Sequence, residues 1–475
     1  MTRLFVLLTS IAAGGLLLTT TAAGALSASA DSLRTTSSRL EVGGGTGHLF
    51  VPGDRVIVRY TVYSGSKAVR GTLYVRNDLQ RAFTRLPLTP ARAYQARVPA
   101  RLLRGRRLFY YAVFRDPRSG RSVTLPAAGA RGPRVAWILG QPLVVRLGTH
   151  RFGATRAPDA VVARAPASAV GWRDPGPGQG LKAGPQTVLI HRDGSVWVDD
   201  EINNRLLVWR AGHPDAIAQT VPLPLGSDSS DLAFGPAGSL YVTRVAGVGR
   251  KAHIVLDRLG STGTRIWEGR LGGSYSPDAK TFALGDNSPL RLGPDGALYC
   301  LAFMGMFGAD EWGWMPVTTR SGARIAPVAQ RHGTHWPFEP VAGKLRLLGP
   351  EVYTPRDDVA PHELRYALVD RRDRVVRAWR ILSKTEIGVH QTVTDVVGGD
   401  PIVLLDFYEE EGGRLTREYE ALRLGRHGIR DRFSVARGLW GDTSLPDLRV
   451  GPDGMLYQLA TSPETGVVVE RYSLR

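Results

Sequence analysis

Four segments of the chain repeat one pattern: TVLIHRDGSVWV, SDLAFGPAGSLYV, SPLRLGPDGALYC and PDLRVGPDGMLYQ. Each is an apolar run, a turn rich in Gly and Asp, and a second apolar run. Glycine takes positive φ at little cost, so each segment predicts a β-hairpin. The turn glycines are Gly194, Gly238, Gly296 and Gly454, and two weaker copies centre on Gly343 and Gly399. Successive copies stand roughly 45 to 58 residues apart, the length of one four-stranded blade. Further apolar runs follow the hairpins, among them NRLLVWR, AHIVLDRL, VVRAWRI, EYEALRL and VVVERYSL. A unit of this kind buries its faces only by stacking on its neighbours, so the repeat constrains the fold more than composition does. The expectation is an all-β chain with a six-bladed β-propeller over residues 184–475.

The last repeat reaches the C-terminus with about three strands, and an open sheet edge leaves backbone groups unpaired. A strand near Val161, in DAVVARA (159–165), is expected to supply the missing one. It lies in a linker, residues 140–183, rich in Gly, Pro and Ala. Residues 40–139 alternate apolar and polar positions in DRVIVRYTVY, GTLYVRND, RRLFYYAVFRD and RSVTLPA, at the spacing of a β-sandwich. The stretch from LPLTPARAYQARVP to RSVTLP resembles the second half of bacterial immunoglobulin-like or fibronectin type III-like modules. That resemblance implies a spacer or binding module rather than catalysis.

Residues 1–30 read as a secretory signal: Arg3, an apolar run from Leu4 to Leu18, and Ala28-Ser29-Ala30 as a cleavage site. Residues 31–39 form a polar, flexible leader. Secretion, and a mature chain with no transmembrane segment, are expected. The single Cys300 excludes an internal disulfide and is expected to be buried and inert. The chain has 61 Lys and Arg against 43 Asp and Glu, a net charge of +18. The charge is read as spread along the whole length rather than collected in one arm, and no nucleic-acid motif appears, so no specific nucleic-acid partner is expected. Attraction to anionic polymers or lipids is the general physical consequence. A monomer is expected.

The stretch DGSVWVDDEINNRLLVW resembles one repeat of the NHL family at Asp193, Gly194, Asp200, Asn203, Arg205 and Leu206. The resemblance implies that Asp200, Asn203 and Arg205 hold the turn between the second and third strands of the first blade. Asp199 and Glu201 fall outside the pattern and are read as exposed. The other repeats keep the hairpin and lose this set. The wider relatives of the resemblance are gluconolactonase-like lactone hydrolases and streptogramin lyase-like proteins, all propellers.

Propeller ligands bind at the channel mouth. Asp231, Asp395 and Asp447 stand just before first strands there, with Asn287 at the corresponding place in the third blade. In the lactonase-like family such groups hold one divalent metal, and oxygen ligands of this type suit Ca²⁺, Mg²⁺ or Mn²⁺. The family's Pro-Asn-Gly ligand segment and a first-blade glutamate are absent here. The alternative is that each Asp caps its own strand or bonds a neighbouring blade. The loop FMGMFGADEWGWMP (303–316) offers Phe307, Trp312 and Trp314, and Trp336 and Trp440 extend the rim. Aromatic side chains at this density mark either a binding surface or a packed plug. His332 and His335 have no third ligand nearby in sequence. No nucleophile elbow, CxxC or phosphate loop is present. The expected function is a non-enzymatic binding or scaffold protein that recognises a glycan, cell-wall polymer or protein partner at the channel mouth. A metal-dependent hydrolase or lyase centred on the three aspartates is the alternative.

Overall fold

The computed structural model describes residues 41–475 apart from 46–47, 65–67, 91–92, 175, 177–181, 224–227, 236–237, 247–252, 274–288, 294, 305–310, 326–337, 340–344, 353–361, 389–393, 412–413 and 441–446. The expected signal and leader lie outside the described residues. The fold is all-β: seven sheets and four single-turn 3-10 helices among the described residues. No helix is long and apolar enough to cross a membrane.

A nine-stranded N-terminal sheet comes first. Its order is Glu41–Gly45, Ile57–Ser64, Tyr94–Arg97, Thr84–Pro90, Arg70–Asn77, Arg107–Asp116, Arg134–Ile138 and Leu49–Phe50, with Arg121–Leu125 also paired to Arg107–Asp116. Burial alternates strictly along Arg70–Asn77 and Arg107–Asp116, the period of a strand with one face in a core. The inner face packs Val58, Tyr60, Leu73, Val75, Leu108, Tyr110 and Phe114 together. Burying each large side chain contributes about 1.5–3 kcal/mol.

Six smaller sheets follow in chain order. Sheet I holds Thr187–Ile190, Val196–Asp200, Arg205–Trp209 and Ile217–Pro222. Sheet II holds Asp228–Phe234, Leu240–Ala246, His253–Leu259 and Arg265–Gly273. Sheet III holds Leu290–Leu292, Leu298–Met304 and Glu311–Pro316. Sheet IV holds Phe338–Glu339, Arg346–Val352, Glu363–Val369 and Val375–Ser383. Sheet V holds Thr394–Val397, Asp400–Glu411, Arg414–Leu424 and Ile429–Ala436. Sheet VI holds Leu448–Val450, Leu456–Ser462 and Gly466–Tyr472.

The repeated turn has one chemistry. Gly194, Gly238, Gly296 and Gly454 have φ of +82°, +71°, +80° and +77°. In each, the glycine N–H donates to the carbonyl three residues earlier, and a second backbone bond closes the hairpin: His191 N to Ser195 O, Gly235 N to Ser239 O, Gly293 N to Ala297 O, and Gly451 N to Met455 O. Where the turn carries Asp, its carboxylate caps the backbone two residues on, as Asp295 does for Ala297 and Asp453 for Met455.

Neighbouring sheets share cores. Val188, Val198 and Trp209 of sheet I pack with Leu459 and Val467 of sheet VI. Sheet I also packs on II through Leu206, Val221, Leu232 and Val242, sheet IV on V, and sheet V on VI. The first strand of sheet I lies beside the first strands of II and VI, and that of II beside that of III.

The linker supplies two strands. Leu143–Gly148 adds in parallel to Val375–Ser383 of sheet IV. Ala160–Ala165 adds antiparallel to Gly466–Tyr472 of sheet VI, with Val161 opposite Glu470. Between them His150 stacks on Phe407 of sheet V, with ring centroids 4.3 Å apart. The N-terminal sheet meets sheet IV through Leu49, Trp137 and Leu139 against Leu348, Ala367 and Val369. Arg365, with no solvent exposure, bonds both oxygens of Asp54 and the Leu49 carbonyl across that seam. Cys300 is buried in sheet III.

Candidate functional site

The stretch from Asp193 to Leu206 builds a turn. Asp200 begins it, fully buried, and accepts at one oxygen from the Gly171 N–H at 2.8 Å. Its other oxygen accepts from Asn203 Nδ2 at 2.9 Å and Arg205 Nε at 2.7 Å. Arg205 then donates to the Ala169 carbonyl at 2.6 Å, tying the turn to the linker. Asn204 completes it in the left-handed region, φ +49°, a conformation Asn tolerates better than most residues. In the preceding hairpin Asp193 accepts from the Ser195 N–H at 2.9 Å, and the Ser195 hydroxyl first, then that N–H and His191, hold its carboxyl down to about 2 against the pull of burial. Asp199 and Glu201, expected at the surface, are buried instead. Asp199 sits opposite Thr187 inside the sheet, and Glu201 accepts from Gln186.

The three single aspartates each have protein partners. Asp231 has no solvent exposure. One of its oxygens pairs with Arg449 of sheet VI and the other accepts from the Leu290 N–H of sheet III at 2.7 Å. Burial raises its pKa against the opposing pull of Arg449. Asp447, also buried, accepts from the Gly438 N–H at 3.1 Å. Burial pushes its carboxyl up to about 6, against the Gly438 bond, the charge of Arg437 and the Tyr419 hydroxyl. Asp395 accepts from the Val396 N–H at 2.7 Å, and burial raises it while the charge of Arg291 opposes. Asn287 lies outside the described residues. Among the described residues no three His, Cys, Asp or Glu side chains gather as metal ligands. A divalent cation requires six to eight oxygens around one point, and carboxylates already bonded to arginine and backbone N–H groups do not fit that cage.

Two arginines that the sequence reading passed over stand with these aspartates. Arg291 and Arg449 occupy the same register of their hairpins, five residues before the turn glycine. A charged residue between two apolar ones, repeated at one position in LRL and LRV, was the available signal. Arg291 also lies over the ring of Trp314, 5.3 Å from its centroid.

The aromatic residues separate. Trp314 is buried in the strand Glu311–Pro316, packed with Ala297 and Tyr299, so it does not belong to an open loop. Its strand alternates against Leu298–Met304, which turns position 314 inward. Trp312 pairs with Phe303 in the same hairpin. Phe307 and Trp336, like His332 and His335, lie outside the described residues. Trp440 is half-buried on the segment leading into sheet VI. It meets Trp172, from the segment leading into sheet I, edge to face at 5.6 Å, and Lys182 sits 5.1 Å above its ring.

No family model matches the chain, and no curated protein matches it.

Proposed function

We propose that residues 184–475 form a six-bladed β-propeller, completed by the strand around Val161 and preceded by an immunoglobulin-like module. In this reading the chain is a secreted binding or scaffold protein rather than a hydrolase. Support for the ring comes from six successive sheets, from the first strands of VI, I, II and III lying side by side, and from the cores shared by I with II, IV with V, V with VI and VI with I. The observation that carries the functional reading is the commitment of Asp231: its two oxygens join the first strands of sheets VI and III to its own. That is a brace across a channel rather than a metal ligand or a general base. A ligand would then bind on the segments that lead into the sheets, where the half-buried Trp172 and Trp440 meet and Lys182, paired with Asp174 at 3.3 Å, covers one face of Trp440, leaving the other face to a sugar.

Two measurements test this. Thermal melting with Ca²⁺, Mg²⁺ or Mn²⁺ against EDTA is expected to show no shift, since a bound ion stabilises the fold by mass action; a clear shift overturns the reading. A screen against glycans and cell-wall polymers is expected to find a ligand whose binding falls about tenfold or more in Trp440→Ala, the loss of one stacked anchor. Binding untouched by that change places the ligand elsewhere.

A further inference from the structure

The positive charge of the chain is concentrated in one module. Residues 41–139 hold 18 Lys and Arg against 4 Asp and Glu, a net +14, whereas residues 140–475 hold 40 against 38, a net +2. This corrects the even spread of charge read from the sequence: basic residues do run along the whole chain, but acidic ones are nearly missing from residues 41–139 and so fail to balance them there. The described carboxylates there are also taken up internally. Asp54 is bound to Arg365 across the seam. Asp78 accepts from the backbone of Arg106 at 3.0 Å, and Asp116 is buried and accepts from that of Arg118 at 3.0 Å.

The outer face of this sheet orders part of that charge. Arg85, Tyr74 and Tyr111 lie opposite one another on three adjacent strands, and Arg76 lies opposite Phe109 in the next row. Arg85 stacks 5.6 Å from the Tyr74 centroid, Arg76 4.4 Å from Phe109 and 5.1 Å from Phe83, and Arg107 5.4 Å from Phe109. Tyr74 and Tyr111 stack on each other, 4.6 Å apart and 3° from parallel. Among the described residues no carboxylate pairs with Arg76, Arg85 or Arg107. Arg76 also donates Nη1 to the Gln80 carbonyl at 3.0 Å, which fixes its place on the face, whereas Arg85 and Arg107, held by their flat faces, keep their N–H edges for an anion and lose less side-chain freedom on binding.

We propose that this face, centred on Arg76, Arg85 and Arg107, binds a linear phosphodiester polymer that carries no bases. Charge complementarity selects a polyanion. Single-stranded nucleic acids are held by stacking bases on open aromatic faces, and here those faces are occupied by guanidinium groups or by each other. Weakly hydrated, ring-stacked arginines suit the diffuse charge of a phosphodiester better than lysines would, and 17 of the 18 basic residues are Arg.

The test is titration of the full chain against a fluorescent abasic deoxyribose-phosphate oligomer, the same oligonucleotide with bases, and polyglutamate, over about 50 to 200 mM salt. The abasic oligomer is expected to bind as tightly as the one with bases, and polyglutamate more weakly. Arg85→Glu with Arg107→Glu is expected to weaken binding about tenfold or more and to lower the salt slope by about 1.4, roughly 0.7 for each lost contact. Arg85→Lys with Arg107→Lys, which keeps charge and fold, should lose a smaller factor of about three as the fork geometry goes. Arg371→Glu with Arg372→Glu, the same charge change on an exposed turn of sheet IV, should leave binding within about twofold. Equal losses in the two glutamate pairs, polyglutamate binding more tightly, or an oligonucleotide with bases binding about tenfold above its abasic form each overturn the proposal.

Discussion

Asp231 and Arg449 stand 218 residues apart in sequence and form an ion pair whose carboxylate is fully buried. The same carboxylate accepts from the Leu290 N–H at 2.7 Å, so three sheets meet at one side chain. Removing one partner of such a pair leaves an uncompensated charge away from water. Asp231→Asn strands Arg449 but also relieves a carboxylate whose charged form burial disfavours, so it is expected to lower unfolding stability by less than the about 3–5 kcal/mol of a broken buried pair. Asp231→Asn with Arg449→Met, which removes both charges, should recover part of that loss. Urea titration of the single and double variants checks the coupling, and additive losses would mean that the pair contributes nothing as a pair.

Asp447 predicts a pH effect of the opposite sense from an ordinary ion-paired carboxylate. Its folded pKa lies above the usual 3.8, at about 6, because burial disfavours the charged form. The folded state then binds more protons than the unfolded state between those values. Stability falls as pH rises through that window, by no more than about 3 kcal/mol. Asp447→Asn keeps an acceptor for Gly438 and removes the charge. Its melting temperature should exceed that of the parent at about pH 7 and approach it at about pH 4.

His150 predicts a loss at higher pH. Burial opposes its protonation, but hydrogen bonds to Glu420 at 3.1 Å and Glu418 at 2.9 Å outweigh it and raise its pKa above 6.5. A base with a raised folded pKa contributes stability that is fully present below the unfolded value and lost as pH rises through the folded one. Both ring nitrogens can donate only in the imidazolium. The parent should lose stability as pH rises above 6.5, measured by chemical denaturation at stepped pH. His150→Gln should be less stable below that range and show a flatter profile.

Arg365 and Asp54 join the N-terminal sheet to sheet IV. Arg365 also bonds Glu363 at 2.6 Å, so loss of Asp54 leaves a buried guanidinium partly compensated. Asp54→Ala is expected to cost about 3 kcal/mol or more. In calorimetry it should broaden or split the unfolding transition, because the seam between the two parts is weakened. A single, equally sharp transition at the parent's temperature would contradict the role given to this pair.

The sequence by itself determined the hairpins and their turn chemistry. A positive-φ glycine, an aspartate two residues before the next N–H, and apolar residues in alternation all act within a few residues. The Asp200, Asn203 and Arg205 contacts within the turn are equally local. Tertiary structure decided the rest. Asp199, near the end of a strand, and Glu201, in the 3-10 turn after it, read as surface charges and are buried, because the segments that cover them come from elsewhere in the chain. Trp314 reads as part of a loop and lies in a buried strand, because a strand's two faces look alike until its neighbours are placed. The parallel addition of Leu143–Gly148 to Val375–Ser383, the reach of Arg365 to Asp54, and the meeting of Arg449 with Asp231 depend on chain separations of hundreds of residues. No local pattern encodes such contacts, since they form only when sheets far apart in sequence have packed and excluded the water that would otherwise solvate each charge alone.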